Sequence, residues 1–251
     1  MALPLSVVII TRNEAARLPE CLASVVFAAE IIVVDSGSTD ETVAIAQKHG
    51  ARVVHQHWLG FGPQKKFAVQ QARHDWVLCI DGDERVSETL RSSIEATLQY
   101  SAQHVYQMPR CNRFLGRWLR YGEGYPDYNI RLFHRAHAQW SDDAVHEHVV
   151  TNEQVGTLSG DLLHESQETI ARYLEKQNVY TTLQAERLAA AGTQPSLAQL
   201  ALSPLVRFIK FYLVRQGFRD GVPGLVHIAI GCFNSFVKYA KLMELRRSGK
   251  Q

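Results

Sequence analysis

Asp81, Asp83 and Glu84 place three carboxylates within four residues, with Gly82 between the first two. They follow Trp76-Val77-Leu78-Cys79-Ile80, a run without polar alternation that reads as a strand buried on both faces. Carboxylates this close repel one another and lose hydration at the edge of an apolar core, so a positive partner is expected beside them. A divalent cation is the simplest one. Two acids flanking a glycine supply the hard oxygen ligands that suit Mg2+ or Mn2+, whose remaining positions go to water and substrate phosphates. A second reading is the opening turn of a helix starting near Ser87, with Asp83 and Glu84 favouring its positive end. A calcium EF-hand is excluded, because Arg85 and Val86 stand where that loop needs Asp or Asn and then Gly.

The flanking elements decide between these readings. Leu5 to Ile10 is a β-branched run of the kind buried in parallel sheets, ending in Thr11-Arg12-Asn13-Glu14. Leu18, Leu22 and Val25 share a helical face. Ile31 to Val34 reads as the second strand, ending in Asp35-Ser36-Gly37-Ser38-Thr39-Asp40-Glu41, where Ser38 and Glu41 have the spacing of a capping box for a helix that stops at Gly50. Val53 and Val54 mark a third strand, and Gly60 to Pro63 a turn before a helix over 64–72. Ser87 caps a helix with Leu90, Ile94 and Leu98 inward, and Val105 to Met108 forms a further strand.

This alternation predicts an α/β fold: a mainly parallel, Rossmann-like sheet with helices on both faces, followed by a helical C-terminal extension. Ligands of such sheets bind beyond the carboxyl ends of the strands. Thr11 to Glu14, Asp35 and Asp81 to Asp83 all fall there, which favours the metal reading. Neither glycine pair completes a dinucleotide fingerprint, since Lys65 and Asp127 stand where the third glycine belongs, and no phosphate-binding P-loop is present. A nucleotide with a metal-bridged diphosphate fits best.

The motifs Val7-Val-Ile-Ile-Thr-Arg-Asn-Glu14, Val33-Val-Asp-Ser-Gly-Ser-Thr-Asp40 and Asp81-Gly-Asp83 together resemble the family 2 glycosyltransferases of GT-A fold, over residues 5 to 190. Within the family the likeness is to the glucosyltransferases that extend the inner-core heptose of bacterial lipopolysaccharide. It rests on residues 60–68, Tyr125-Pro126-Asp127, Arg131-Leu132-Phe133, Val145-His146-Glu147, Leu163-His164-Glu165 and the tail from Arg215 to Glu244. The resemblance implies a UDP-sugar donor and a lipid-linked saccharide acceptor. It places Thr11, Asn13 and Glu14 in the nucleoside pocket, Asp35 on the base, Asp81 toward the ribose or sugar, and Lys65 and Arg131 on phosphate oxygens. Asp83, with His164, would hold the metal. For the base that deprotonates the acceptor hydroxyl the candidates are Glu147 and Asp127, with Glu147 favoured because it follows the glycine loop 121–125. Glu84 keeps the helix-opening role. His146-Glu147-His148 is no zinc-protease motif, since its second histidine would have to stand at Val150.

The 251 residues suffice for one large domain plus an extension, placed at 1–165 and 166–251. The net charge of +2 hides an asymmetry: from Ala201 onward nine Lys or Arg face Asp220 and Glu244, a balance of +7, so residues 1 to 200 carry −5. Four widely spaced cysteines read as thiols in a reducing compartment, and the N-terminus lacks the basic region of a signal peptide. Leu205 to Arg215 mixes eight apolar with three basic residues, which fits either a core helix with solvated charges or a helix lying on an anionic membrane surface. Gly221 to Val237 is too short and polar for a span. The expected location is therefore cytoplasmic, peripheral on the inner face of the membrane. No stacking motif supports nucleic-acid binding. The competing class is a scaffold protein that binds the nucleotide-sugar without transferring the sugar.

Overall fold

The computed structural model describes residues 3–100, 103–143, 147–165 and 169–248. Val145 and His146 of the sequence motif lie outside them. Two compact units are present, Met1–Cys111 with Pro126–Glu165, and Asn112–Tyr125 with Ser166–Gln251.

In the first unit, β1 (Leu3–Thr11), β2 (Ala28–Asp35), β3 (Arg52–His55) and β4 (Trp76–Asp81) are parallel, in the order β3-β2-β1-β4. The helices between and after them are α1 (Leu18–Ala23), α2 (Thr42–Lys48), α3 (Phe61–Gln70) and α4 (Glu88–Tyr100). β5 (Glu84–Val86) follows β4 directly, and β6 (Val105–Phe114) leads into the second unit, where β7 (Arg117–Trp118) folds back on its end. The chain returns as β8 (Asp127–His134), β9 (Ala138–Trp140), β10 (Val149–Thr151), β11 (Val155–Thr157) and β12 (Leu162–His164). β8 adds antiparallel to β4, and β6 antiparallel to β8. The sheet is thus mixed, with its parallel part where the apolar runs predict it.

Side chains alternate across β1 and sort the core into two layers. Leu5, Val7 and Ile9 pack with Leu18, Leu22, Val25, Leu90 and Ile94 on one face. Val8 and Ile10 pack with Ala68, Val69, Val77 and Trp140 on the other. Cys21, Cys79 and Cys111 are buried thiols, as expected, and Cys232 is a partly exposed one.

Three local readings change. α3 begins at Phe61 rather than 64: Gly60 takes φ 98°, and Pro63 is tolerated because first-turn amides have no helical acceptor. Ser38 does not cap α2; its hydroxyl donates to Asp35 Oδ1, while Asp40 Oδ1 accepts from the Thr42 amide at 3.0 Å. Glu84 opens no helix but lies in β5, paired with β12. Ser87 does cap α4, accepting from the Leu90 amide at 3.3 Å.

The second unit holds α5 (Ile170–Ala190), α6 (Leu197–Phe208) and α7 (Gly221–Ser248). Thr169 caps α5, and Ser196 with Gln199 forms a capping box on α6. α6 starts eight residues before Leu205, carries Pro204 in its interior, and runs into a π-helical segment, Ile209–Val214. A helix can keep an internal proline while shifting hydrogen-bond register just beyond it. Buried Asp220 ties the 112–125 loop to this bundle by accepting from the Arg120 and Tyr121 amides at 3.0 and 2.8 Å.

Candidate active site

Parallel pairing aligns Ile10 with Asp81 and Thr11 with Asp35, so the first three polar clusters meet on one rim. Gly82 makes the turn possible: a Cβ there would lie 2.7 Å from Thr11 Oγ1 and 3.3 Å from Glu14 Cγ. Asn13 adopts φ 55°, a conformation that Asn tolerates better than most residues. Its amide donates to Ser38 Oγ at 2.9 Å, and its Oδ1 accepts from the Thr39 amide at 2.8 Å. Asp35 Oδ2 accepts from the Gly37 and Ser38 amides at 2.9 and 3.0 Å. Asn13 and Asp35 therefore form one clasp that fixes the loops after β1 and β2. Glu14 pairs with Arg17, yet burial outweighs the guanidinium and pushes its carboxyl up.

Beyond Gly82 the structure builds a ladder of alternating charge. Asp127 pairs with Arg110 (3.3 Å), Arg110 with Glu84 (3.7 Å), Glu84 with Arg131 (3.0 Å), Arg131 with Asp81 (3.3 Å), Asp81 with Lys65 (3.4 Å), and Lys65 with Glu147 (2.8 Å). Four carboxylates meet three cations. Glu84 is 0% and Arg131 3% exposed. Burial would push Asp81 up, but Lys65, then Arg131 and Arg110, reverse this and hold it well below the usual carboxylate range. Burial likewise disfavours the Arg131 cation, and Glu84 and Asp81 more than restore it. Lys65 Nζ and the Arg131 guanidinium also lie 4.8 and 5.8 Å from the Trp140 ring centre. Trp140 Nε1 in turn donates to Cys79 Sγ at 3.3 Å. Burial still pushes that thiol up to about 12, so it remains protonated and is no nucleophile.

The sequence motifs put Lys65 on α3 and Glu147 far downstream; the fold joins them by clasping the first turn of α3. The Gly62 amide donates to the Asp143 carbonyl at 3.1 Å, and a Cβ on Gly62 would fall 2.3 Å from the Ser141 carbonyl oxygen. Lys66 adds an ion pair to Asp142 at 2.8 Å. Asp127 occupies the opposite end of the ladder from Glu147, with its side chain 44% exposed.

Asp83 stands beside the ladder and meets His164 across the β5–β12 pair, Oδ2 to Nε2 3.3 Å. Donors bonded to one ion at about 2.1 Å lie about 3 Å apart, so this carboxylate and imidazole fit a shared divalent cation, and their partial exposure leaves its other positions to water and phosphate. Nearby, Thr11 Oγ1 and Arg131 Nε and Nη1 are buried and make no hydrogen bond among the described residues. These are polar groups placed to receive a ligand.

Glu84, Arg110 and Trp140 are the site residues the motifs leave out. Glu84 does not open a helix; its carboxylate accepts from the Asp81 amide at 2.9 Å and neutralises Arg131. The positive partner expected for the acid cluster is thus supplied for Asp81 and Glu84 by Lys65, Arg131 and Arg110. That leaves Asp83 as the acid suited to a cation.

The mixed α/β sheet that carries this charged rim has the fold of the GT-A glycosyltransferases. The chain belongs to glycosyl transferase family 2, whose model matches residues 6–153, more than half of its length. It is 32% identical over 250 residues to "Lipopolysaccharide core biosynthesis glycosyltransferase LpsC" of Rhizobium meliloti, covering 96% of this chain and 93% of that protein. An uncharacterized glycosyltransferase of Rickettsia bellii is 34% identical over 262 residues, covering 96% and 86%. The fold matches S. aureus TarS 1-349, solved in complex with UDP-GlcNAc, with a TM-score of 0.51 at 15% identity, covering 98% of this chain and 92% of that one.

Proposed function

We propose that this glycosyltransferase moves a sugar, with glucose favoured, from a UDP-sugar to a hydroxyl of a lipopolysaccharide-core or similar lipid-linked saccharide, inverting the anomeric centre in one displacement. The observation that carries this reading is the convergence of Asp81, Asp83, Lys65 and Glu147 from distant segments onto one rim. The naming of the Rhizobium relative as a lipopolysaccharide core enzyme supports the acceptor class.

In this reading Asp83 and His164 hold Mg2+ or Mn2+, which supplies neutralisation of the departing diphosphate. Thr11, Asn13 and Glu14 line the nucleoside pocket, Asp35 orders the loop that meets the base, and Asp81 faces the ribose or sugar. Lys65 and Arg131 offer donors to phosphate oxygens. Glu147 takes the proton of the acceptor hydroxyl.

The test follows UDP release from a panel of UDP-sugars with Mn2+, with and without a lipid A-core acceptor. Release should require metal, and Asp83→Ala should raise the metal concentration needed by about tenfold or more. No release from any donor would sink the proposal.

A membrane-facing surface completes it. Leu197–Val214 is an 18-residue helical stretch of mean hydropathy 1.4, none of it buried. Leu202, Leu205, Val206, Ile209, Leu213 and Val214 are exposed, with Lys210 and Arg215 among them. Two cations, one of them Arg207 paired with Glu123, favour a helix lying on anionic lipid over one crossing it. That would place the protein on the inner face of the cytoplasmic membrane. The double variant Lys210→Glu/Arg215→Glu should bind phosphatidylglycerol vesicles about tenfold or more weakly in cosedimentation; unchanged binding would remove the lipid contact.

A further inference from the structure

The histidines that the family motifs leave unused gather elsewhere. His104 precedes β6, His137 sits in the turn between β8 and β9, and Glu153 in the turn between β10 and β11. Their ligand atoms lie within 4.8 Å of one another. His137 Nδ1 is 2.7 Å from Glu153 Oε1, and His104 Nδ1 is 3.9 Å from Glu153 Oε2. The two imidazoles stack at 3.8 Å between centroids with planes 5° apart, which sets their edges side by side against the carboxylate.

Backbone contacts hold the three turns in place. The His134 amide donates to the His104 carbonyl at 2.8 Å, and the His137 amide to the His134 carbonyl at 2.9 Å. Thr151 Oγ1 donates to the His137 carbonyl at 2.9 Å and accepts from the Glu153 amide at 3.0 Å. Pairing of Val155 with Val105 then fixes Glu153 near His104. Such a scaffold pre-organises its side chains without a ligand, which lowers the entropy cost of binding one.

We propose that His104, His137 and Glu153 form a second metal site, for zinc, distinct from the Asp83 pair. Two imidazoles and one carboxylate suit Zn2+ rather than Mg2+, and the three leave a fourth tetrahedral position to water. Ligands on one zinc lie about 3.3 Å apart, so loading the site requires the two stacked rings to tilt out of their parallel arrangement until both Nδ1 lone pairs point at the ion. The site cannot serve the transfer chemistry. His134, whose ring centroid is 5.2 Å from that of His137, packs on Trp76 at the start of β4, whereas Asp81 ends the same strand. Five residue steps of a strand separate the two by about 17 Å. The zinc would instead pin together the turns beyond β9 and β10, the paired strands that flank Glu147 in the chain.

The experiment uses the full chain without a histidine tag and carrying Asp83→Ala, so that zinc at the Asp83–His164 pair does not contribute. Bound metal is read against a chromophoric chelator in excess Mg2+. One equivalent of zinc should bind, and adding His137→Ala or Glu153→Gln should weaken it about tenfold or more. Circular dichroism in EDTA checks the fold, and His104→Gln replaces any variant that fails it. No uptake by the Asp83→Ala chain, or uptake unchanged by His137→Ala, would overturn the site. Neither outcome depends on transfer activity.

Discussion

Replacing Arg131 by Met should destabilise the protein by about 3–5 kcal/mol, because it strands a buried charge rather than removing a contact. Glu84 is fully buried, and Arg131 Nη2 lies 3.0 Å from its Oε1 and 3.3 Å from Asp81 Oδ2. Arg110, at 3.7 Å, compensates only in part. A domain with about 5–15 kcal/mol of stability would lose a large share of it. Adding Glu84→Gln to Arg131→Met should recover part of the loss, since the uncompensated charge goes too. Urea unfolding measures both variants; a loss under about 1 kcal/mol in the single variant would show that the ladder does not stabilise the fold.

The pH dependence follows from the sign at Asp81. Its folded-state carboxyl is held below the ordinary 3.8, so the unfolded chain takes up the proton first as pH falls. The stability it contributes is present above that value and is lost as pH falls through the folded one. Arg131 supplies part of this depression, so the stability gap between Arg131→Met and wild type, read by urea unfolding at several pH values, should narrow as pH falls through the variant's higher folded-state Asp81 titration toward that of the wild type.

Glu147→Gln should lower kcat by about 10²–10⁴-fold with little change in donor KM. The amide is nearly isosteric and can still accept from Lys65, now at 2.8 Å from the carboxylate, but it cannot take a proton. In the unliganded chain Lys65 holds Glu147 and Asp81 together. In the proposed complex the donor diphosphate would give Lys65 another anion, leaving Glu147 free to meet the acceptor hydroxyl. Asp127→Asn, at the far end of the ladder, should cost less than about tenfold. The reverse ranking in steady-state kinetics would make Asp127 the base.

The parallel half of the sheet was legible because β1, β2 and β4 are apolar on both faces and each ends in polar residues. A period and its interruption are local signals. Glu84 was not legible for the opposite reason. Its neighbours in sequence are acids and a helix start, while its partners are Arg131, 47 residues away, and Arg110 on another strand. Cross-strand pairing such as Arg110 opposite Asp127 follows from register, which one sequence does not display. The motif Val145-His146-Glu147 likewise singled out Glu147, but its meeting with Lys65 depends on the fit of Gly62 against the carbonyls of Ser141 and Asp143, which no local pattern displays.

The ladder and the tail also divide the molecule into two electrostatic regimes. Buried pairs such as Glu84–Arg131 are scarcely reached by mobile ions, whereas exposed cations such as Lys210 and Arg215 act over a Debye length of about 8 Å at physiological ionic strength. If the tail lies on lipid as proposed, added salt would weaken that contact while leaving the buried pairs of the ladder intact, so ionic strength alone would separate where the protein works from whether it works.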